Sequence, residues 1–109
     1  MATHIWFHES MHTVEYPNGN FYYGEMENGQ RHGFGMMLYK KGGNYEGYWK
    51  KDKRHGGGSF VYHNGDVYRG EFKKGKRHGR GEYCWNGDTA FYDFKWRKNE
   101  IKHPHIQEE

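Results

Sequence analysis

From Tyr22 to Trp85 glycines and large apolar or aromatic residues fall on alternate positions, and the arrangement returns every 23 residues. Tyr22, Tyr45 and Tyr68 form one column, with Gly24, Gly47 and Gly70 two residues on and Met26, Trp49 and Phe72 two further. A second run opens on Gly33, Gly56 and Gly79 and passes through Gly35, Gly58 and Gly81, then Met37, Phe60 and Tyr83. It closes on Tyr39, Tyr62 and Trp85. A period of two is that of a β-strand, so each unit reads as strand, turn, strand. Asn28-Gly29, Asp52-Lys53 and Gly75-Lys76 mark turns inside the units. Asn18-Gly19, Gly42-Gly43, Asn64-Gly65 and Asn86-Gly87 mark turns between them. Asn-Gly and Gly-Gly suit tight hairpins because such turns need positive φ.

Partial units flank the full ones. Val14 and Tyr16 fall in the columns of Met37 and Tyr39, while Tyr92, Phe94 and Trp96 match a first strand after a one-residue shift. The pattern predicts an all-β fold: an elongated, twisted, single-layer antiparallel meander of consecutive hairpins, with about eight strands. The full units span about 22–44, 45–67 and 68–90 within a sheet over 13–97, and segments 1–12 and 98–109 are read as tails. Rows of glycine weaken regular structure by roughly 0.5–1 kcal/mol each. Aromatic rings laid over the bare backbone offset that cost.

Composition sharpens this reading. Only 33% of the 109 residues are hydrophobic and the mean hydropathy is −1.32, values that would suit a disordered chain. The aromatic share of 19% and 17 glycines against two prolines argue instead for thin β-structure. The single Cys84 makes no internal disulfide, and no apolar run is long enough to span a bilayer. The chain is therefore read as soluble, intracellular and cytoplasmic.

The segments from Tyr45 to Asp66 and from Tyr68 to Asp88, and less closely Tyr22 to Asn44, resemble MORN (membrane occupation and recognition nexus) repeats. The resemblance covers about residues 14–97. It implies a non-catalytic binding or scaffolding module, with a ciliary, cytoskeletal or membrane-associated setting. Phe94 in a glycine place, and Asp52 in place of the usual turn glycine, depart from the pattern.

Three sets of residues stand out as candidate sites. The triplet Arg-His-Gly recurs at Arg31, Arg54 and Arg77. Equivalent positions one hairpin on lie about 9.6 Å apart, too far to share a metal ion, and no nucleophile recurs beside the histidines. The triplet is read as a turn exit whose glycine opens the second strand. His4, His8 and His12 have helical spacing, but the segment lacks a cap and is read as a tail rather than a zinc site. No cofactor or metal is expected, and no enzyme activity. Glycine pairs lack the Gly-Lys-Ser/Thr ending of a phosphate loop, and glutamates among the rings weigh against nucleic acid.

The second set is the aromatic face: Tyr22, Tyr45, Trp49, Phe60, Tyr62, Tyr68, Phe72, Tyr83 and Trp85. A one-layer sheet has no second layer to cover these rings, so they are expected to form a shallow groove for a partner protein's helix or extended segment. The third is a basic edge of Lys50, Lys51, Lys53, Arg54, Lys73, Lys74, Lys76 and Arg77, suited to acidic phospholipid. Unpaired terminal strands leave edges open to homodimerisation.

Overall fold

A computed structural model describes residues 11–104. Nine antiparallel strands follow one another in sequence order in a single sheet. They are β1 (Met11–Glu15), β2 (Phe21–Glu27), β3 (Gln30–Leu38), β4 (Gly43–Lys50), β5 (Lys53–Tyr62), β6 (Val67–Lys73), β7 (Lys76–Cys84), β8 (Tyr92–Arg97) and β9 (Glu100–Pro104). The sheet extends 51 × 32 × 27 Å. The expected meander is therefore present, with one strand more than the sequence indicated. β9 lies in the segment read as a tail, and β1 begins at Met11 rather than at residue 13. Lys98-Asn99 supplies the turn before β9 with φ of 52° and 73°. Asparagine tolerates this conformation, so the turn forms without glycine, as Lys51-Asp52 also does.

Every turn inside a unit is built the same way. Asn28-Gly29, Lys51-Asp52 and Lys74-Gly75 also carry two successive positive φ values, the geometry that matches strand twist in two-residue hairpins. Two of these turns sit one residue earlier than the sequence suggested. Between units, Gly19, Gly42 and Gly65 have positive φ and donate their N–H back to Tyr16, Tyr39 and Tyr62 carbonyls at 2.9, 2.9 and 2.8 Å.

The registers bring the glycines into direct opposition: Gly24 faces Gly35, Gly47 faces Gly58 and Gly70 faces Gly81. Tyr22, Tyr45 and Tyr68 lay their rings over these pairs and are fully buried. Their hydroxyls donate to the Glu25, Tyr48 and Glu71 carbonyls at 2.7, 2.8 and 2.7 Å. The rings pack edge-on from unit to unit: Tyr22 on Trp49, Tyr45 on Phe72 and Tyr68 on Trp96, at 5.6, 5.2 and 5.3 Å between centroids. Each unit's core thus needs its neighbour, as expected for a repeat array.

The glycine of the recurring triplet is not a strand opening. β3, β5 and β7 begin three residues before Gly33, Gly56 and Gly79. The register slips at these points, and the three glycines take φ of 86°, 81° and 69°. They form the crest of a bulge, where a side chain would be strained. At the first bulge Phe34 N–H donates to Glu25 Oε1 at 3.1 Å.

Candidate interaction site

The alternation that defines the aromatic face also places the triplet arginines on it, over the rings. Arg31 lies 4.8 Å from the Trp49 ring, Arg54 5.0 Å from Phe60 and Arg77 4.7 Å from Trp96. Each guanidinium also reaches the turn of the following unit. Arg31 Nη2 donates to Asp52 O, Arg54 Nη2 to Gly75 O and Arg77 Nη2 to Asn99 O, at 3.1, 2.7 and 2.9 Å. The same turn residues return a bond, from Asp52, Gly75 and Asn99 N–H to the Arg31, Arg54 and Arg77 carbonyls at 2.9, 2.9 and 3.0 Å. Arg54 and Arg77 further donate to the Tyr39 and Tyr62 hydroxyls at 2.8 Å each. These arginines are joints between units. They are withdrawn from the basic edge to which the sequence reading assigned Arg54 and Arg77.

The aromatic face divides into two rows. Tyr22, Tyr45, Tyr68, Trp49 and Phe72 are buried, so five of the nine rings read as partner contacts are the sheet's own core. They cover one another from unit to unit, with Arg31 and Arg54 above Trp49 and Phe72, without a second layer. Beside them runs a row that reaches the surface. Tyr39 stacks on Phe60 at 5.5 Å and Phe60 on Tyr62 at 4.4 Å; Tyr62 meets Tyr83 at 6.2 Å, Tyr83 meets Trp85 at 4.8 Å and Trp85 meets Tyr92 at 6.1 Å. Trp85 is 41% exposed and Tyr92 38%. Phe60, Tyr62, Tyr83 and Trp85 from the sequence reading fall in this row, joined by Tyr39 and Tyr92, which that reading left aside. Tyr92 occupies the column of the buried tyrosines, but the residue two further on is Phe94 in place of glycine. With no bare strip to lie on, its ring turns outward.

Tyr83, within this row, is fixed by a buried carboxylate. Asp66 accepts from Tyr83 Oη and Asn86 N–H, both at 2.8 Å. These bonds, the Asn86 amide first, hold its carboxyl below the ordinary range. Burial and the adjacent Asp66 push the Tyr83 phenol up to about 12.

Lys50, Lys51, Lys53, Lys73, Lys74 and Lys76 are all exposed and lie together along the edge formed by the within-unit turns. A trough of about 490 Å³ runs between Lys53, Lys73, Lys74, Lys76, His78, Arg97 and Lys98. A second, of about 310 Å³, lies among Lys50, Lys51, Lys53, His55 and Lys74. Arg97 and Lys98 prolong the edge beyond what the sequence reading included. Toward the first unit it loses its charge: His32 Nε2 sits 3.2 Å from Glu27 Oε1. His12 is exposed on β1, and His4 and His8 lie outside the described residues. Among the described residues no group of three or more His, Cys, Asp or Glu side chains is placed to hold a metal ion, and no helix is long and apolar enough to cross a membrane.

The joints and the core recur at residues 22–44, 45–67 and 68–89, and a family model, the MORN repeat, matches these same three segments. The chain belongs to the MORN repeat family. No curated protein matches it. MORN repeats take part in protein–protein or membrane interactions, and the family is a non-enzymatic one. Within each MORN unit here the tyrosine, the paired glycines and the triplet arginine serve the array itself. The outer aromatic row reaches the surface at Trp85 and Tyr92, and the turn lysines are exposed.

Proposed function

We propose that this MORN-repeat chain is a non-catalytic structural adaptor that binds a partner protein along the outer aromatic row, whose exposed end is Trp85 and Tyr92. The unbroken run of ring contacts from Tyr39 to Tyr92, stacked as far as Tyr83 and tilted beyond it, carries this reading. It lies across successive strands, and its length and direction suit a helix or extended segment. Tyrosine and tryptophan supply large contact area with few rotatable bonds, which favours them at interfaces. A ciliary or cytoskeletal assembly is the setting that family likeness suggests.

The test is cross-linking and mass spectrometry in native lysate, with the wild-type chain beside Trp85→Ala and Tyr92→Ala. Both residues reach the surface, and circular dichroism checks that each variant keeps the wild-type fold. The expected result is loss of the main cross-linked partner in both. Retention of that partner with undiminished yield overturns the reading. Alanine at Tyr45 or Trp49 is unsuitable, because it removes core.

A second reading rests on the lysine troughs: a peripheral membrane module that binds acidic phospholipid. Each basic residue close to an anionic surface contributes about 1 kcal/mol. Flotation with vesicles containing phosphatidylserine should fall when Lys73, Lys74 and Lys76 become glutamine, and should weaken with salt. Flotation indifferent to both changes rules it out.

A further inference from the structure

The three arginine joints differ in one bond. Arg54 and Arg77 each donate from Nη1 to a tyrosine hydroxyl of the preceding unit, Tyr39 and Tyr62, at 2.8 Å. Tyr16 holds that place for Arg31, but among the described residues the bond is not made. Asp52 instead engages Arg31 Nε with its carboxylate and Nη2 with its carbonyl. The guanidinium rests 5.1 Å from the centre of the Tyr16 ring. Arg31 Nη1 and Tyr16 Oη are thus spare donors where the other two joints consume theirs.

Both residues line a hollow of about 390 Å³, together with Asn18, Asn20, Lys53 and Lys74. Asn18 Oδ1 accepts from Asn20 N–H and Asn20 Oδ1 from Lys40 N–H, each at 3.0 Å. Each asparagine therefore has its NH2 end left to donate. Arg31, Arg54, Lys53 and Lys74 bring positive charge to the lining against one carboxylate, Asp52, which Arg31 already holds at 2.9 Å. Spare donors and positive charge together are the complement of an oxyanion. Asp52 decides which one: a doubly charged group is repelled by its carboxylate more strongly than a singly charged one. Tyr39 also belongs to the lining, and it opens the outer aromatic row. We infer that the hollow is a carboxylate site, and that it receives an aspartate or glutamate side chain of the partner segment lying along that row. The second step rests on the adaptor reading; the site itself does not.

Titration of the full-length chain with N-acetylglutamate α-methylamide, followed by nuclear magnetic resonance, tests this. The Arg31 side-chain N–H and the Asn18 and Asn20 NH2 signals should shift to saturation, while the backbone amides of Glu82 and Asp93 stay in place. Tyr16→Phe keeps the ring and removes a hydroxyl that the fold leaves unbonded. Its melting curve should match the wild type, and its Kd should rise about tenfold, as for one hydrogen bond to a charged group. Lys53→Gln with Lys74→Gln should also weaken binding. Lys41→Gln with Lys95→Gln, the same change of charge outside the lining, should not. Four results overturn the site: an equal response to the neutral glutamine analogue, an unchanged Kd in Tyr16→Phe, equal weakening by the two lysine pairs, or tighter binding of inorganic phosphate. Because the probe stands in for the partner, a failed titration removes the site and leaves the cross-linking result at Trp85 and Tyr92 intact. Failure of the cross-linking test leaves the carboxylate site and removes only the partner as its source.

Discussion

Arg54 donates from Nη2 to the Gly75 carbonyl at 2.7 Å, 21 residues along the chain, and so ties one repeat to the turn of the next. Arg31 makes the same reach to Asp52, but there the turn residue also answers with its carboxylate. Asp52 Oδ1 accepts from Arg31 Nε and from Arg31 N–H, both at 2.9 Å. Gly75 has no such oxygen, and Arg54 Nε is buried without a partner.

Gly75→Asp should therefore stabilise the protein. The position has open space around a new Cβ, and its φ of 85° is close to the 71° that Asp52 already adopts. Supplying an acceptor to a buried donor is worth about 0.5–1 kcal/mol. The urea midpoint should rise for aspartate and fall for alanine, which has neither the oxygen nor a tolerance for that φ.

The reverse substitution, Asp52→Gly, keeps the turn and removes both carboxylate bonds. The site is partly exposed, so the loss should stay near 1 kcal/mol, roughly the worth of one such bond. It would appear as a lower urea midpoint with an unchanged slope.

Gly56, Gly57 and Gly58 are consecutive and should respond in three different ways to alanine. At Gly58 a Cβ would overlap the Tyr45 ring, so the sheet must open or the ring must leave, and this variant should be the least stable. At Gly56, with φ of 81°, the strain is about 1–2 kcal/mol. At Gly57 no atom lies within 4 Å of the new methyl, and a gain of about 0.5 kcal/mol follows from a stiffer unfolded chain. Ranking the three melting temperatures checks all of these together.

Tyr45→Phe should cost about 1 kcal/mol by leaving the Tyr48 carbonyl without its donor. The same bonds set an alkaline limit. Burial raises the phenols of Tyr22, Tyr45 and Tyr68 well above their ordinary 10. The folded state holds these protons more tightly than the unfolded one. Their contribution is complete below about pH 10 and declines as pH rises toward the folded values. The part of the tyrosinate absorbance that comes from these buried rings should thus appear together with loss of the β-sheet circular dichroism signal.

Asp66 sets the opposite limit. Its carboxyl is held below the ordinary value, so its contribution is present above that value and is lost as pH falls through the folded one. The melting temperature of the wild type should drop below about pH 4. Asp66→Asn should be less stable at neutral pH and should flatten that part of the profile.

Much of this was legible in the chain. Columns of tyrosine and glycine two residues apart locate strands, faces and the ring-over-glycine packing, because a strand's period leaves little freedom in where side chains point. The hydroxyl bonds of Tyr22, Tyr45 and Tyr68 to backbone carbonyls left no trace in the pattern, since phenylalanine would fit the same column. Arg31, Arg54 and Arg77 read as corner charges. Alternation places them on the aromatic face, but their bonds run to backbone groups of the next unit's turn, which the residue pattern does not encode. Trp49 and Phe72, which alternation alone leaves on an open face, are covered by neighbouring tyrosines and by Arg31 and Arg54. β9 escapes the pattern because Lys98-Asn99 turns the chain without glycine and lies beyond the three repeats, whose columns reveal the glycine-free turn at Asp52.

The arginine joints have a consequence for the length of the array. Each is made from the same two parts, an arginine in one unit and a turn backbone in the next. Removing residues 45–67, one whole repeat, would bring Arg31 opposite Gly75 in the role that Arg54 now fills. The shortened chain would close with a bond of a kind it already contains. A gain or loss of 23 residues, the length of that repeat, changes the reach of the molecule while every seam stays familiar.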